Sequence, residues 1–132
     1  MMQLSRNVRE EKHDIFLGEM LREKAAVLTR GGVAVEQIIE QLKMLETEIN
    51  EKISLMNMLP GQDGDNVLTA SKRSFCEAVN QSIETFNIMR KKAETQYYYL
   101  IVTREALGLR RHEAVQNMYR IPEKKKKIES DG

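Results

Sequence analysis

One stripe constrains this chain more than any other feature. Between about residues 69 and 107, Phe75, Val79, Ile83, Phe86, Met89, Ala93, Tyr97, Leu100 and Leu107 recur every three or four positions. On a helix that spacing makes a single apolar face. No Pro or Gly interrupts it before Gly108, so the helix would run about 55–60 Å at 1.5 Å per residue. A rod of that length in a 132-residue chain needs other helices lying along it, because helical stability comes mostly from packing an apolar face.

Upstream, two further helices are predicted. Residues 5–30 carry Val8, Ile15, Phe16, Leu17, Met20, Leu21, Ala25 and Leu28, a broad apolar face, with Ser5 available as a cap and Arg6 four residues before Glu10. Gly31-Gly32 predicts a bend or a short turn, since only Gly takes the left-handed C-cap conformation cheaply. Residues 34–59 then show Val35, Ile38, Leu42, Leu45, Ile49, Met56 and Leu59, with Lys52 the one polar residue on the stripe. Three heptads with flanking charges, including the Glu48–Lys52 pair, resemble a coiled-coil strand. The run Pro60-Gly61-Gln62-Asp63-Gly64-Asp65-Asn66 stops any helix. A short loop between two long stripes predicts an antiparallel helical hairpin. Thr69 or Ser71 would cap the helix that follows.

Residues 97–102, Tyr-Tyr-Tyr-Leu-Ile-Val, are strand-prone in isolation. Their flanks are good helix formers and the chain offers no partner strand, so they too are predicted helical. A helix apolar all round needs cover on more than one side. Tyr97, Tyr98, Leu100 and Ile101 are therefore the expected oligomer or partner interface. Gly108 ends the helix, residues 112–119 form two short turns, and Ile121-Pro122 closes them. Residues 123–132, with Lys124, Lys125, Lys126 and Lys127 and almost nothing apolar, read as a mobile basic tail.

The predicted fold class is therefore all-α: an antiparallel long-helix hairpin or three-helix bundle with a short C-terminal helix, completed by oligomerisation. One helical domain spans residues 1–122 and the basic tail spans 123–132. Composition agrees, with 31% charged residues, 41% apolar residues, no Trp and two Pro. Apolar residues this regularly patterned exclude disorder over most of the chain. The longest purely apolar run, residues 97–102, is far short of the ~20 residues a membrane span needs. No signal-like apolar segment opens the chain, and one cysteine, Cys76, fits a reducing compartment, hence a cytoplasmic location.

The motifs that would carry chemistry are incomplete. Glu10-x-x-His13 is half of the di-iron bundle signature, and the residue three before His112 is Leu109, so no second copy exists. Asp63-Gly-Asp65 looks like the start of a calcium loop, but Leu68 and Ser74 stand where that loop needs Gly and Glu. Cys76 lies beside the stripe with no His at helical spacing, which fits a small buried apolar residue better than a nucleophile. No phosphate-binding glycine loop, HExxH or GxSxG is present. No catalytic residue, metal ligand or cofactor is expected.

Two partner classes remain. The net charge of +1 hides an asymmetry: residues 1–89 carry 10 Lys+Arg against 14 Asp+Glu, and residues 90–132 carry 11 against 6. Arg110, Arg111, Lys124, Lys125, Lys126 and Lys127 are thus candidate contacts for an anionic partner, nucleic acid included. The segment from Arg104 to Val115 faintly resembles a helix-turn-helix, but Arg104 occupies a position that motif fills with a small residue. Eight Met residues serve as core filler or as an adaptable docking surface. The favoured expectation is a non-catalytic adaptor, assembly factor or chaperone-like protein that forms a homo-oligomer, a dimer first, and binds a protein partner through an apolar helix face. A nucleic-acid accessory role for the basic C-terminal third is the alternative.

Overall fold

The structure, a computed structural model, describes the backbone of residues 2–59 and 66–129 and the side chains of residues 7–59 and 70–129. Among the described residues there is no strand. Among those residues three helices follow one another: α1 (Met2–Asn57, 56 residues), α2 (Asn66–Ala106, 41 residues) and α3 (Glu113–Met118, 6 residues). At 1.5 Å per residue α1 is about 84 Å long and α2 about 60 Å. Of the predicted loop at residues 60–66, residues 60–65, with Asp63 and Asp65, lie outside the described residues, as do the side chains of Ser5, Arg6 and Thr69 and all of residues 130–132. Asn66 is already helical, so α2 begins before Thr69 and Ser71, the expected caps. Residues 97–102 are helical, as their flanks require.

The two helices predicted on either side of Gly31-Gly32 are one helix. This corrects the expected break, and with it the expectation of three long helices. Two glycines inside a helix cost roughly 2 kcal/mol relative to alanine. Here they admit close neighbours. A Cβ on Gly31 would lie 3.0 Å from Leu100 Cδ1, and one on Gly32 would lie 2.5 Å from the Tyr119 hydroxyl. The buried Leu100 returns about 1.5–3 kcal/mol by leaving water, enough to offset the glycine cost. The heptad also crosses the pair without losing phase: Leu21, Leu28, Val35, Leu42, Ile49 and Met56 stand seven apart. Tertiary packing overrides local propensity at this point.

α2 folds back antiparallel on the second half of α1. Gly31 meets Leu100 at one end of the contact, and Lys52 Nζ donates to Ser82 Oγ at 2.9 Å toward the other. One core cluster joins Leu42 and Ile49 to Val79, Ile83, Phe86 and Ala93. A second joins Val35 and Ile39 to Leu100 and to Val115 of α3. By this register α2 ends abreast of about Leu28. The preceding residues of α1 run on past it, so the expected packing of the first apolar segment along the hairpin does not occur.

Gly108 terminates α2 through a positive φ of 89°. Leu109 N–H donates to Arg104 O and Gly108 N–H to Glu105 O, the paired bonds of a Schellman cap. Arg104 then fastens the turn, donating from Nη2 to Arg111 O at 2.8 Å and from Nε to His112 Nδ1 at 3.2 Å. The segment that resembles a helix-turn-helix is thus a capped helix end, a stapled turn and a six-residue α3 whose Val115 is buried against α1.

Candidate interaction surfaces

Three surfaces could receive a partner: the face of the 97–102 girdle, the groove that receives the C-terminal segment, and the part of α1 that projects.

On α2 the girdle divides. Leu100 is 4% exposed, beneath Val35, Ile39 and Val115. Tyr97 and Ile101 are half-buried at the edge of the same cluster. α1 is therefore the cover that one side of the girdle requires. Of the four residues expected at an interface, Tyr98 alone points outward, 64% exposed, with Tyr99 and Val102 beside it. The Tyr98 and Tyr99 rings stand 6.2 Å apart between centroids and tilted by 54°, not in the parallel stack that would receive a base between them.

The C-terminal segment has a built seat. Residues 119–129, of which 123–129 belong to the segment expected to be a mobile tail, run along the hairpin antiparallel to α2. Arg90 Nε donates to Pro122 O at 2.7 Å. Asn87 makes two bonds with one strap residue: its Nδ2 donates to Lys125 O and its Oδ1 accepts from Lys125 N–H, both at 2.9 Å. Asn80 does the same with Ile128, at 2.9 and 2.8 Å. The Ile121 and Ile128 side chains pack on the first core cluster. Cys76 is buried, its Sγ 3.7 Å from Ile128 O. Asn80 and Asn87 are seven residues apart, about 10.5 Å along a helix, and three extended residues reach about as far. The strap is therefore nearly straight between its two clamps.

This seat divides the predicted anion-binding set. Lys125 is turned inward, its Nζ 5.0 Å from the Phe86 ring centre and 3.5 Å from Glu46 Oε2. Lys124, Lys126 and Lys127 are exposed, as are Arg110 and Arg111. Arg111 is tied to Arg104 and Lys125 to Asn87, positions on α2 about 25 Å apart along its axis. The basic residues do not form one patch.

A run of exposed apolar residues lies on α1 before Leu28. Phe16 is 57% exposed, Leu21 66%, and Ile15, Leu17 and Met20 are also exposed. About 26 residues, some 39 Å of helix, extend past the end of α2. Glu10 and His13 are on this projection, both exposed. Among the described residues no three His, Cys, Asp or Glu side chains converge in a metal-sized group. The depressions beside Ile38 and Ile88 and beside Val33 and Gln37 are shallow and open.

Asn80, Asn87, Arg90 and Glu46 were not anticipated. The available signal is the pair of asparagines at heptad spacing inside a strong helix, where Asn is a poor helix former, together with two isoleucines, Ile121 and Ile128, also seven apart around a lysine run. No family model, curated protein or solved structure matches this chain.

Proposed function

We propose that this chain is a non-catalytic helical interaction protein, an adaptor or assembly factor of a reducing compartment such as the cytoplasm. It works by presenting an apolar helix face to other chains, its own copies included. The observation that carries the reading is the projection of α1, with Phe16, Leu17, Met20 and Leu21 exposed on a helix that the hairpin anchors but does not cover. Soluble monomers rarely leave large contiguous apolar patches open, and those they leave are usually contact sites. An amphipathic helix seated in an apolar groove, read through residues three and four apart, is a recurrent recognition mode. No helix among the described residues is long and apolar enough to cross a membrane.

The test is affinity capture from the native host with the full chain as bait, in low and in high salt. A Leu17→Glu, Leu21→Glu variant serves as the control. The expected result is a stoichiometric protein partner retained in high salt and lost with the variant. Capture that collapses with salt and ignores the variant would point to phosphate contacts instead and would overturn the reading.

A further inference from the structure

We infer that the occupant of this face is a second copy of the chain, paired antiparallel through the projecting parts of two α1 helices. The inference rests on the function proposed above and adds the partner and the register.

The first observation is phase. Within the hairpin the buried seam of α1 follows a heptad through Val35, Ile38, Leu42, Leu45 and Ile49. Extended toward the N-terminus, the same repeat passes through Gly31, Leu28, Lys24, Leu21, Leu17, Asp14 and Glu10. Successive steps are three or four residues, so all of them lie on one face. The face that α2 covers further along continues, uncovered, past the end of α2.

The second observation is charge. Along that face Asp14 and Lys24 bracket two leucines. A parallel pair of helices would set Lys24 against Lys24 and Asp14 against Asp14, and like charges at such contacts repel. An antiparallel pair with its twofold axis at Glu19 does the reverse. Leu17 of each copy then meets Leu21 of the other, and each Asp14 meets a Lys24. Met20 and Val27 flank the leucines, and both are exposed in the single chain. The two hairpins leave from opposite ends of the paired segment, which spans about residues 10–28, because beyond Leu28 α2 holds the same face of α1 and residues 2–9 of each copy must turn aside there.

The third observation is a precedent within the chain. Lys52 holds the same heptad position as Lys24, four heptads on. It is accommodated there by a group across the helix pair, Ser82 Oγ at 2.9 Å, and by Glu48 at 3.1 Å on its own helix. Lys24 is half-buried at the level where α2 ends, at Ala106, and the face beyond it is open. An Asp14 from a second copy supplies the group that Ser82 supplies to Lys52.

The experiment is sedimentation equilibrium on the full chain over roughly a thousandfold range of concentration, since association is governed by mass action. The native chain is expected to dimerise. Lys24→Asp alone and Asp14→Lys alone should each weaken the dimer about tenfold or more, while the two together should restore it to within about threefold, the pattern of coupled partners. Far-UV circular dichroism and the protection of Cys76 from thiol reagents verify that each variant keeps its hairpin. A monomer across the whole range overturns the inference. So does a dimer indifferent to both reversals, or one that the combined reversal fails to restore. If the chain is monomeric while partner capture still depends on Leu17 and Leu21, the contact face stands and its assigned occupant does not.

Discussion

Replacing Asn87 by Ala would release the strap, and the chain's single cysteine would report it. Asn87 makes two hydrogen bonds to Lys125. Each bond contributes about 0.5–1.5 kcal/mol net, so their loss costs roughly 1–3 kcal/mol. The lower end applies if water reaches the freed Lys125 N–H and C=O, the upper end if it does not. That loss raises the open population of the strap by about 5-fold to 150-fold, one decade per 1.4 kcal/mol. Cys76 is 4% exposed, with the Ile128 carbonyl 3.7 Å from its sulfur. When opening and closing are fast, its modification rate follows the open population. The assay is the labelling rate of native protein with a small alkylating reagent, compared with the rate in denaturant. We expect Asn87→Ala to accelerate labelling by at least about fivefold while the helical circular dichroism of α1 and α2 stays unchanged. A rate within twofold of the native one would show that the two asparagine bonds do not hold the strap, and the argument would fail.

Two further outcomes follow from the packing. Gly18→Ala should stabilise the chain by about 0.5–1 kcal/mol, because nothing lies within 4 Å of the added methyl and a helical glycine is replaced by the best helix former. Gly32→Ala should fall short of that gain by about 1–3 kcal/mol, because its Cβ would stand 2.5 Å from the Tyr119 hydroxyl and the cost of displacing that ring offsets the helical gain. Paired thermal melts decide the matter, and equal gains for the two glycines would refute it. Acylation footprinting read by mass spectrometry should modify Lys124, Lys126 and Lys127 more readily than Lys125, whose ammonium lies against Phe86 and Glu46. Equal modification of all four would contradict that placement.

The parts of the fold legible in the sequence are those fixed locally or by a sustained period. The stripe from Phe75 to Leu100 is a helix, and Val35 to Ile49 is the seam it packs on. Gly108 ends α2 because a positive φ is a property of one residue. Cys76 is buried beside the stripe, where its neighbours place it. Gly31-Gly32 misleads because what makes a glycine pair worth keeping helical is supplied by Leu100 and Tyr119, nearly seventy and ninety residues away. The C-terminal segment misleads for a different reason. Composition counts side chains, and the strap is held largely through its backbone, by amide groups on Asn80 and Asn87. The exposure of Phe16 and Leu21 follows from the length difference between α1 and α2, which no window of residues reveals.

The strap and α2 work together like the two scales of a vernier. One step of three residues on the strap, from Lys125 to Ile128, advances as far as one step of seven on the helix, from Asn87 to Asn80. Divergence of this chain is thereby rationed. A residue gained or lost between Asn80 and Asn87 rotates one clamp about 100° around the helix axis, and one gained or lost between Lys125 and Ile128 breaks the three-residue spacing at which residues 122, 125 and 128 meet α2. Length is locked between the clamps, where the two scales must change together or not at all.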